Sequence, residues 1–266
     1  ADVVVAMVEG NLLAVPVAAG AARQVQNLGS LPLADIMVTD DATLLAEGPQ
    51  AARLHSEALD VWLTLTAAAL VGGAGKAVQI GVQYAKERHA FGTPIGAFQA
   101  VSHPLADSAT AVDGARLLAF EAACAFEDEP ARVTELAAMA FAFAYESARD
   151  ATRRSLHIHG GYGFGMEGDI QLFYRRVRAW ALVYGDSNAA LDRVADIRAP
   201  QENGGNSRNV LAHLDEWTQR RARIAALYRQ ELSQESGIGV PFVPNWASST
   251  SGTTTGIQNR ITSPAR

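Results

Sequence analysis

The chain has 266 residues, of which 48% are hydrophobic and 19% are charged. Its formal net charge of −6 at pH 7 argues against a nucleic-acid-binding protein, since such proteins present a basic face. The length suffices for one large domain or two modest ones. No uninterrupted apolar segment reaches the ~20 residues that cross a bilayer, so the sequence predicts no membrane span.

The chain contains a single cysteine, Cys124. One cysteine excludes an internal disulfide and cannot form a zinc site by itself. Because Cys124 lies in the apolar run 122–126, we expect it to be a small buried hydrophobic residue. A chain without cysteine pairs is typical of a reducing compartment, and the predicted location is therefore the cytoplasm.

Residues 1–50 contain short apolar runs separated by turn signals, a pattern that predicts β structure. Two short apolar runs, Asp2–Val8 and Leu12–Ala18, are separated by the turn signal Glu9-Gly10-Asn11, and a third run spans Leu31–Val38. Three short strands cannot close a core without further partners. We therefore expect these residues to be the remnant of a larger β domain, and the chain to be a fragment of a longer protein.

From about Pro49 the apolar residues recur at helical spacing. The first predicted helix, Ala51–Arg88, is expected to stop near Gly92, and another is expected to stop at Gly160, because glycine and proline end helices. Long helices joined by short loops predict an antiparallel bundle over residues 51–200. Further helices are predicted at residues 98–127, 131–159, 169–181 and 187–197.

Residues 201–266 form an atypical tail. An amphipathic helix is predicted over about residues 210–232, where leucine and aromatic residues alternate with arginines at helical spacing. The Ser/Thr/Gly-rich stretch 248–255 predicts a disordered end.

Two motifs carry the chemical information in the helical region. The first is Tyr84-x-x-x-Arg88-x-x-Phe91-Gly92-x-Pro94-Ile95-x-x-Phe98-Gln99, and the second is His159-Gly160-Gly161-Tyr162-Gly163-Phe164. Each is weak alone, because a glycine pair is usually only a helix stop. His157 and His159 do not predict a metal site, since residues two apart on a helix do not share one face.

Together, in this order and spacing, the motifs resemble the acyl-CoA dehydrogenase family over about residues 1–200. The resemblance implies a mainly α fold: a C-terminal antiparallel bundle at 51–200, preceded at 1–50 by strands of a truncated middle β domain. It implies an FAD-dependent oxidoreductase that removes hydrogens from the α and β carbons of an acyl-CoA thioester. The flavin would carry out the redox step, and the protein would supply a base and orientation.

The resemblance also implies which residues hold FAD. Arg88 would meet the pyrophosphate, which suits the forked donors of a guanidinium. Gly160 and Gly161 would let backbone N–H groups approach the flavin of a neighbouring subunit. We therefore expect a homo- or hetero-oligomer in which Arg88 and Gln99 from one chain meet Gly160-Gly161 from another. Further implied cofactor contacts are His89, Ala90, Phe98, His157, Ile158, His159, Asp186, Ser187 and Asn188.

The chain departs from the family pattern at the catalytic base, which is usually a glutamate followed by Gly-Thr-Ser. The matching stretch places Tyr184 at that position, and a phenol with a pKa near ~10 is a poor base at neutral pH. Asp186 lies two residues further on and either replaces the base or caps the next helix; capping is favoured.

Some members of the family place the glutamate instead on the long helix, at a position near Trp62 in this chain. No acid is present there, although Glu57 and Asp60 lie within one or two turns. Gly185 and Asp60 are the expected substrate contacts.

Three hypotheses follow from these features. The leading one is an acyl-CoA dehydrogenase, or one subunit of a hetero-oligomeric dehydrogenase in which a partner chain supplies the base, served by an electron-transfer partner. The second is a flavin-free chain that stabilises or regulates an active partner. The third is a truncated or fused fragment without a function of its own. A yellow colour on purification would separate the first hypothesis from the other two.

Overall fold

The computed structural model describes residues 3–165 and 167–199, which form a small β region followed by five α-helices. The strands are β1 (Val3–Val8), β2 (Asn11–Pro16), β3 (Arg23–Val25), β4 (Leu33–Asp35), β5 (Thr43–Glu47), β6 (His89–Ala90) and β7 (Thr93–Pro94). The helices are α1 (Gly48–Glu87), α2 (Gln99–Asp128), α3 (Val133–Ile158), α4 (Ile170–Leu182) and α5 (Ser187–Arg198). The predicted helix at 210–232 and the predicted disordered end lie outside the described residues.

The β region contains one three-stranded antiparallel sheet with the order β1-β2-β5. The first two predicted strands are confirmed, and the turn between them places Glu9 and Gly10 at positive φ. The third predicted run is only partly right, because regular pairing there is limited to β4, which pairs with β3. The sequence missed β3 and β5, which are short and mostly exposed and so carry little hydrophobic periodicity.

The long helix α1 forms the spine of the bundle and packs on α2, α3 and α4. It spans 40 residues, or about 60 Å, and begins with a proline in its first turn, where the missing N–H costs no hydrogen bond. Leu63, Ala67, Leu70 and Ala74 form one fully buried stripe on it. The small alanines in this stripe let neighbouring helices approach closely, while the leucines fill the space between them.

Among the described helices, α1 is the one with the length and apolar composition needed to cross a membrane. These two properties are weak evidence, since the central helix of a bundle has them as well. The contacts of α1 with three other helices account for its apolar character. We therefore describe it as the core helix of the bundle.

The interior of the bundle is completed by α2 and α3, with Phe141 as its largest fully buried side chain. Cys124 corrects one prediction, because it is exposed on α2. Its neighbours Ala122 and Ala125 are the residues that face the core. An apolar run on a helix still turns ~100° per residue, so only part of it can be buried.

The helix-ending glycines have different roles. Gly160 lies two residues beyond the end of α3 at Ile158, with φ +60°, in agreement with the predicted helix stop. Gly92 lies in the turn between β6 and β7 with φ +81°, five residues beyond the end of α1 at Glu87. No described residue between 100 and 155 is in a strand. The predicted helical bundle with a few preceding strands is therefore confirmed.

Candidate functional site

An open pocket of about 720 Å³ lies where the end of α1 meets the end of α3. We call it the Arg88 pocket. It brings residues of both sequence motifs together in one chain. Its lining consists of Tyr84, Glu87, Arg88, Ile95, Ile158, His159, Gly160, Gly161 and Tyr162.

One wall of the Arg88 pocket is fixed by a ring stack between α1 and the end of α3. The rings of Tyr84 and His159 lie with their centroids 4.1 Å apart and nearly parallel. His159 is buried, and its Nδ1 donates a hydrogen bond to the Ser155 carbonyl at 2.7 Å. The stack and this hydrogen bond together hold the start of the Gly160-Gly161 turn in place.

Arg88 has a fixed backbone and an exposed side chain. Its N–H donates to the Tyr84 carbonyl at 2.8 Å, and its carbonyl accepts from the N–H of Ile95 at 2.8 Å. Within the described part of the chain, no carboxylate forms an ion pair with its guanidinium. The fork of donors is therefore available to an anion that enters the pocket.

The two glycines leave the floor of the pocket uncovered. Added Cβ atoms at Gly160 and Gly161 would meet no atom within 4 Å. Gly160 has a positive φ, which explains why glycine is favoured at that position. At Gly161 an added Cβ would not clash with any described neighbour, so crowding does not explain the glycine there. Open backbone at both positions is what a bound dinucleotide would need for close approach.

Five other predicted cofactor residues lie outside the pocket lining. They are exposed or half-buried at β6, at the start of α2 and on the outer side of α3: His89, Ala90, Phe98, Gln99 and His157. The family resemblance implies that Arg88 and Gly160-Gly161 come from two different chains, a prediction that a single chain does not test. Both border the same pocket in one chain, because α1 and α3 run side by side and end at the same level.

Tyr184, the residue that the sequence resemblance aligns with the base, packs against the core of the bundle. Its ring centroid lies 5.5 Å from that of Phe141 and 6.2 Å from that of Trp62. The rings of Trp62, Phe141 and Tyr184 therefore form one packed aromatic cluster. Gly185 follows with φ +120° and is exposed.

Asp186 is the N-cap of α5, as favoured from the sequence. Its side chain accepts a hydrogen bond from the N–H of Asn188 at 2.8 Å. Its backbone has φ +88° and ψ −172°, a region that residues other than glycine rarely enter. Ser187 is buried, and its hydroxyl donates to Glu146 of α3 at 2.5 Å. The turn is strained and firmly attached to the bundle.

Substitutions at Asp186 should separate capping from strain. We expect Asp186→Ala to lower the free energy of unfolding by about 1 kcal/mol, because it removes the cap and keeps the strained backbone. Asp186→Gly should be neutral or stabilising, because relief of about 1–3 kcal/mol of strain offsets a cap loss of only a few tenths. Urea unfolding followed by circular dichroism measures both. Equal losses in the two variants would contradict the strain.

Asp60 is a buried side chain whose two carboxylate oxygens are both engaged. Oδ1 accepts from Arg193 of α5 at 2.5 Å, and Oδ2 accepts from Thr134 of α3 at 2.7 Å. The same guanidinium donates to the hydroxyl of Ser56 at 2.8 Å. Asp60 therefore joins three helices at their packed faces, where it is buried.

A second, apolar pocket of about 390 Å³ lies against a face of α1 that neighbours the buried stripe. Its α1 wall has the spacing i, i+3, i+4, i+7, which places the four side chains on one face of the helix. None of its described lining residues carries a carboxylate. They are Leu31, Pro32, Leu33, Trp62, Leu65, Thr66, Ala69, Trp180 and Val183. We call it the apolar pocket.

The histidines of the second motif do not converge. His157 is exposed, whereas His159 is buried against Tyr84. Among the residues that the structure describes, no group of three His, Cys, Asp or Glu side chains could hold a metal ion.

Comparison with known proteins identifies the bundle. The family model "Acyl-CoA dehydrogenase, C-terminal domain" matches residues 53–197. The chain is 36% identical over 129 residues to the caffeyl-CoA reductase-Etf complex subunit CarC of Acetobacterium woodii, covering 48% of this chain and 34% of that protein. It is 34% identical over 172 residues to the probable acyl-CoA dehydrogenase YngJ of Bacillus subtilis, covering 65% and 44%.

A solved structure agrees with these sequence matches. The butyryl-CoA dehydrogenase of Megasphaera elsdenii superposes with a TM-score of 0.61 at 26% identity, covering 73% of this chain and 55% of that one. The matches to the two curated relatives each span less than half of the relative's length. Since the family model covers more than half of this chain, the protein belongs to the acyl-CoA dehydrogenase family and carries that family's C-terminal helical domain.

Proposed function

We propose that the chain supplies one half of an FAD site in an acyl-CoA dehydrogenase. The observation that carries this proposal is the Arg88 pocket, where a guanidinium with no ion-pair partner among the described residues shares a lining with the open backbone of Gly160 and Gly161. A pyrophosphate needs both features: a bidentate cation and N–H groups that approach without side chains in between. When bound, FAD would accept the hydride that leaves the acyl β carbon.

The second group of predicted cofactor residues supports a site made by two chains. The turn at Asp186–Asn188 is attached to α3 through Glu146, whereas the Arg88 pocket lies at His159. These two α3 positions are thirteen residues apart, which corresponds to roughly 20 Å of helix. We infer that one chain provides Arg88 with Gly160-Gly161, and that the other provides the turn before α5.

The apolar pocket is the proposed acyl site. Trp62 and Trp180 give it two large flat walls, and its lining lacks groups that would favour a charged ligand. A thioester bound there would find no described carboxylate in the lining to remove its α proton. We therefore propose that this chain works as one subunit of a larger enzyme whose partner supplies the base.

The name of one relative supports a partner that takes up electrons. The Acetobacterium woodii protein is a subunit of a reductase-Etf complex, and a reduced flavin on this chain would likewise need an acceptor. An electron-transfer protein and a second dehydrogenase chain are the two partners that we propose.

A second candidate is a flavin-free chain that supports an active partner. The inward packing of Tyr184 on Phe141 and Trp62 favours it, because a packed ring stabilises the bundle without doing chemistry. The two candidates differ in flavin content. Only the first predicts a yellow protein when the chain is assembled with FAD and its partner.

Replacement of Arg88 tests the FAD proposal. Arg88→Ala should reduce FAD affinity by about 10- to 100-fold, because a hydrogen bond to a charged group contributes about 1.5–3 kcal/mol. Flavin absorbance of the assembled protein after gel filtration measures the loss. Lys86→Ala is the matched control, since Lys86 is an exposed cation two residues earlier that does not line the pocket. A variant at Arg88 with a full complement of FAD would contradict the assignment.

A further inference from the structure

A short loop that leads into β4 forms one wall of the apolar pocket, and the side chain of Asn27 holds it together through hydrogen bonds within the loop. We call residues 27–33 the 27–33 loop. The Asn27 Oδ1 accepts from the N–H of Leu31 at 2.9 Å, and its Nδ2 donates to the Leu31 carbonyl at 2.8 Å. These two hydrogen bonds close the loop on itself, so it moves as one unit.

The loop is attached to α4 at two adjacent residues. Arg175 Nη1 donates to the Leu28 carbonyl at 3.1 Å. Gly29 is buried, and a Cβ added to it would lie 2.1 Å from the Cβ of Ala179. Two non-bonded carbon atoms cannot approach to that distance, so this packing requires glycine at position 29 and a small residue at position 179.

The same contact lies beside the pocket. Leu31, Pro32 and Leu33 follow Gly29 within four residues and line the loop side of the apolar pocket, and Trp180 follows Ala179 directly and lines the helix side. A change in the separation of Gly29 and Ala179 would therefore move one wall relative to the other. Because the loop is braced internally, its three lining residues would move together.

We infer that the Gly29–Ala179 contact sets the width of the apolar pocket and thereby selects acyl-chain length. This inference rests on the proposed function, in which the pocket holds the acyl chain. Each buried methylene contributes about fourfold in affinity. Because the wall is held at a fixed distance, the affinity stops rising once the acyl chain is long enough to fill the pocket.

Titration of the full chain with butanoyl-, octanoyl- and dodecanoyl-CoA tests the inference, with the fluorescence of Trp62 and Trp180 as the signal. The unchanged protein should gain affinity by about fourfold per methylene up to one length and then level off. Ala179→Val should push the loop outward, so that the shortest ligand binds at least about fourfold more weakly and the gain continues to longer chains.

A compensating pair of substitutions separates this effect from misfolding. Gly29→Ala alone should shift the chain-length profile as Ala179→Val does. Combined with Ala179→Gly it should restore the original profile, because the next neighbours of the added methyl are then Asn27 Oδ1 at 3.4 Å and the α carbon of residue 179 at 3.6 Å. Arg176→Gln, on an exposed neighbour of Arg175, is the control and should leave the profile unchanged.

The outcomes distinguish the inference from the function on which it rests. If the unchanged protein shows no dependence on chain length, the acyl assignment of the pocket is wrong and the inference falls with it. If the unchanged protein shows the dependence but Ala179→Val and Gly29→Ala retain its profile, only the inference is overturned. Recovery in the double variant, with helical circular dichroism equal to that of the unchanged protein, supports it.

Discussion

Asp60→Ala should lower the free energy of unfolding by about 3–5 kcal/mol, because it leaves the guanidinium of Arg193 largely buried without its partner. The side chains of Asp60 and Arg193 are only 4% and 19% exposed. The substitution also removes the acceptor for the Thr134 hydroxyl. Urea unfolding followed by helical circular dichroism measures the loss.

Two comparisons show whether burial is the reason. Glu57→Ala breaks the exposed pair with Arg53 on the same helix and should cost no more than about 0.5 kcal/mol. Asp60→Leu combined with Arg193→Met replaces both charges by apolar groups of similar volume and should cost less than Asp60→Ala alone. If Asp60→Ala lost no more than Glu57→Ala does, the three-helix junction would not be a structural element.

The sequence predicted the helices well because their determinants are local. The ends of α2 through α5 lie within about two residues of the predicted ends, since stripes such as Leu63 to Ala74 repeat at 3.6 residues and glycine or proline ends them. The end of α1 at Glu87 is likewise within one residue of the predicted end at Arg88, but the β6–β7 hairpin between that end and Gly92 was not predicted. A two-residue strand is too short to show a period.

The candidate site was only partly predictable, for a different physical reason. Motif residues such as Arg88 and Gly160 could be named, but their meeting in one pocket depends on the relative position of α1 and α3. Asp60 was expected near the substrate because it is an acid close to Trp62. Its partner Arg193 lies 133 residues later, and no local pattern reveals a contact at that separation.

Tyr184→Glu should raise the rate of flavin reduction by an acyl-CoA about 10²- to 10⁴-fold in an FAD-loaded assembly that lacks the proposed base-supplying partner, because it restores a carboxylate at the position implied by the family resemblance. That range is what a positioned general base contributes. The phenol now present packs on Phe141 and Trp62 and supplies no carboxylate. Stopped-flow bleaching of the flavin absorbance measures the rate.

Tyr184→Gln is the matched control, because it has the shape of the glutamate variant and loses the same aromatic packing but cannot accept the α proton as a carboxylate does. Any difference between the two variants then reports the charge rather than a looser core. Tyr184→Phe keeps the ring and should leave the original slow rate unchanged, since the hydroxyl is not the base. Without the partner, an assembly that already reduces its flavin rapidly, and does so equally with Gln or Glu at this position, would show that another residue of this chain is the base.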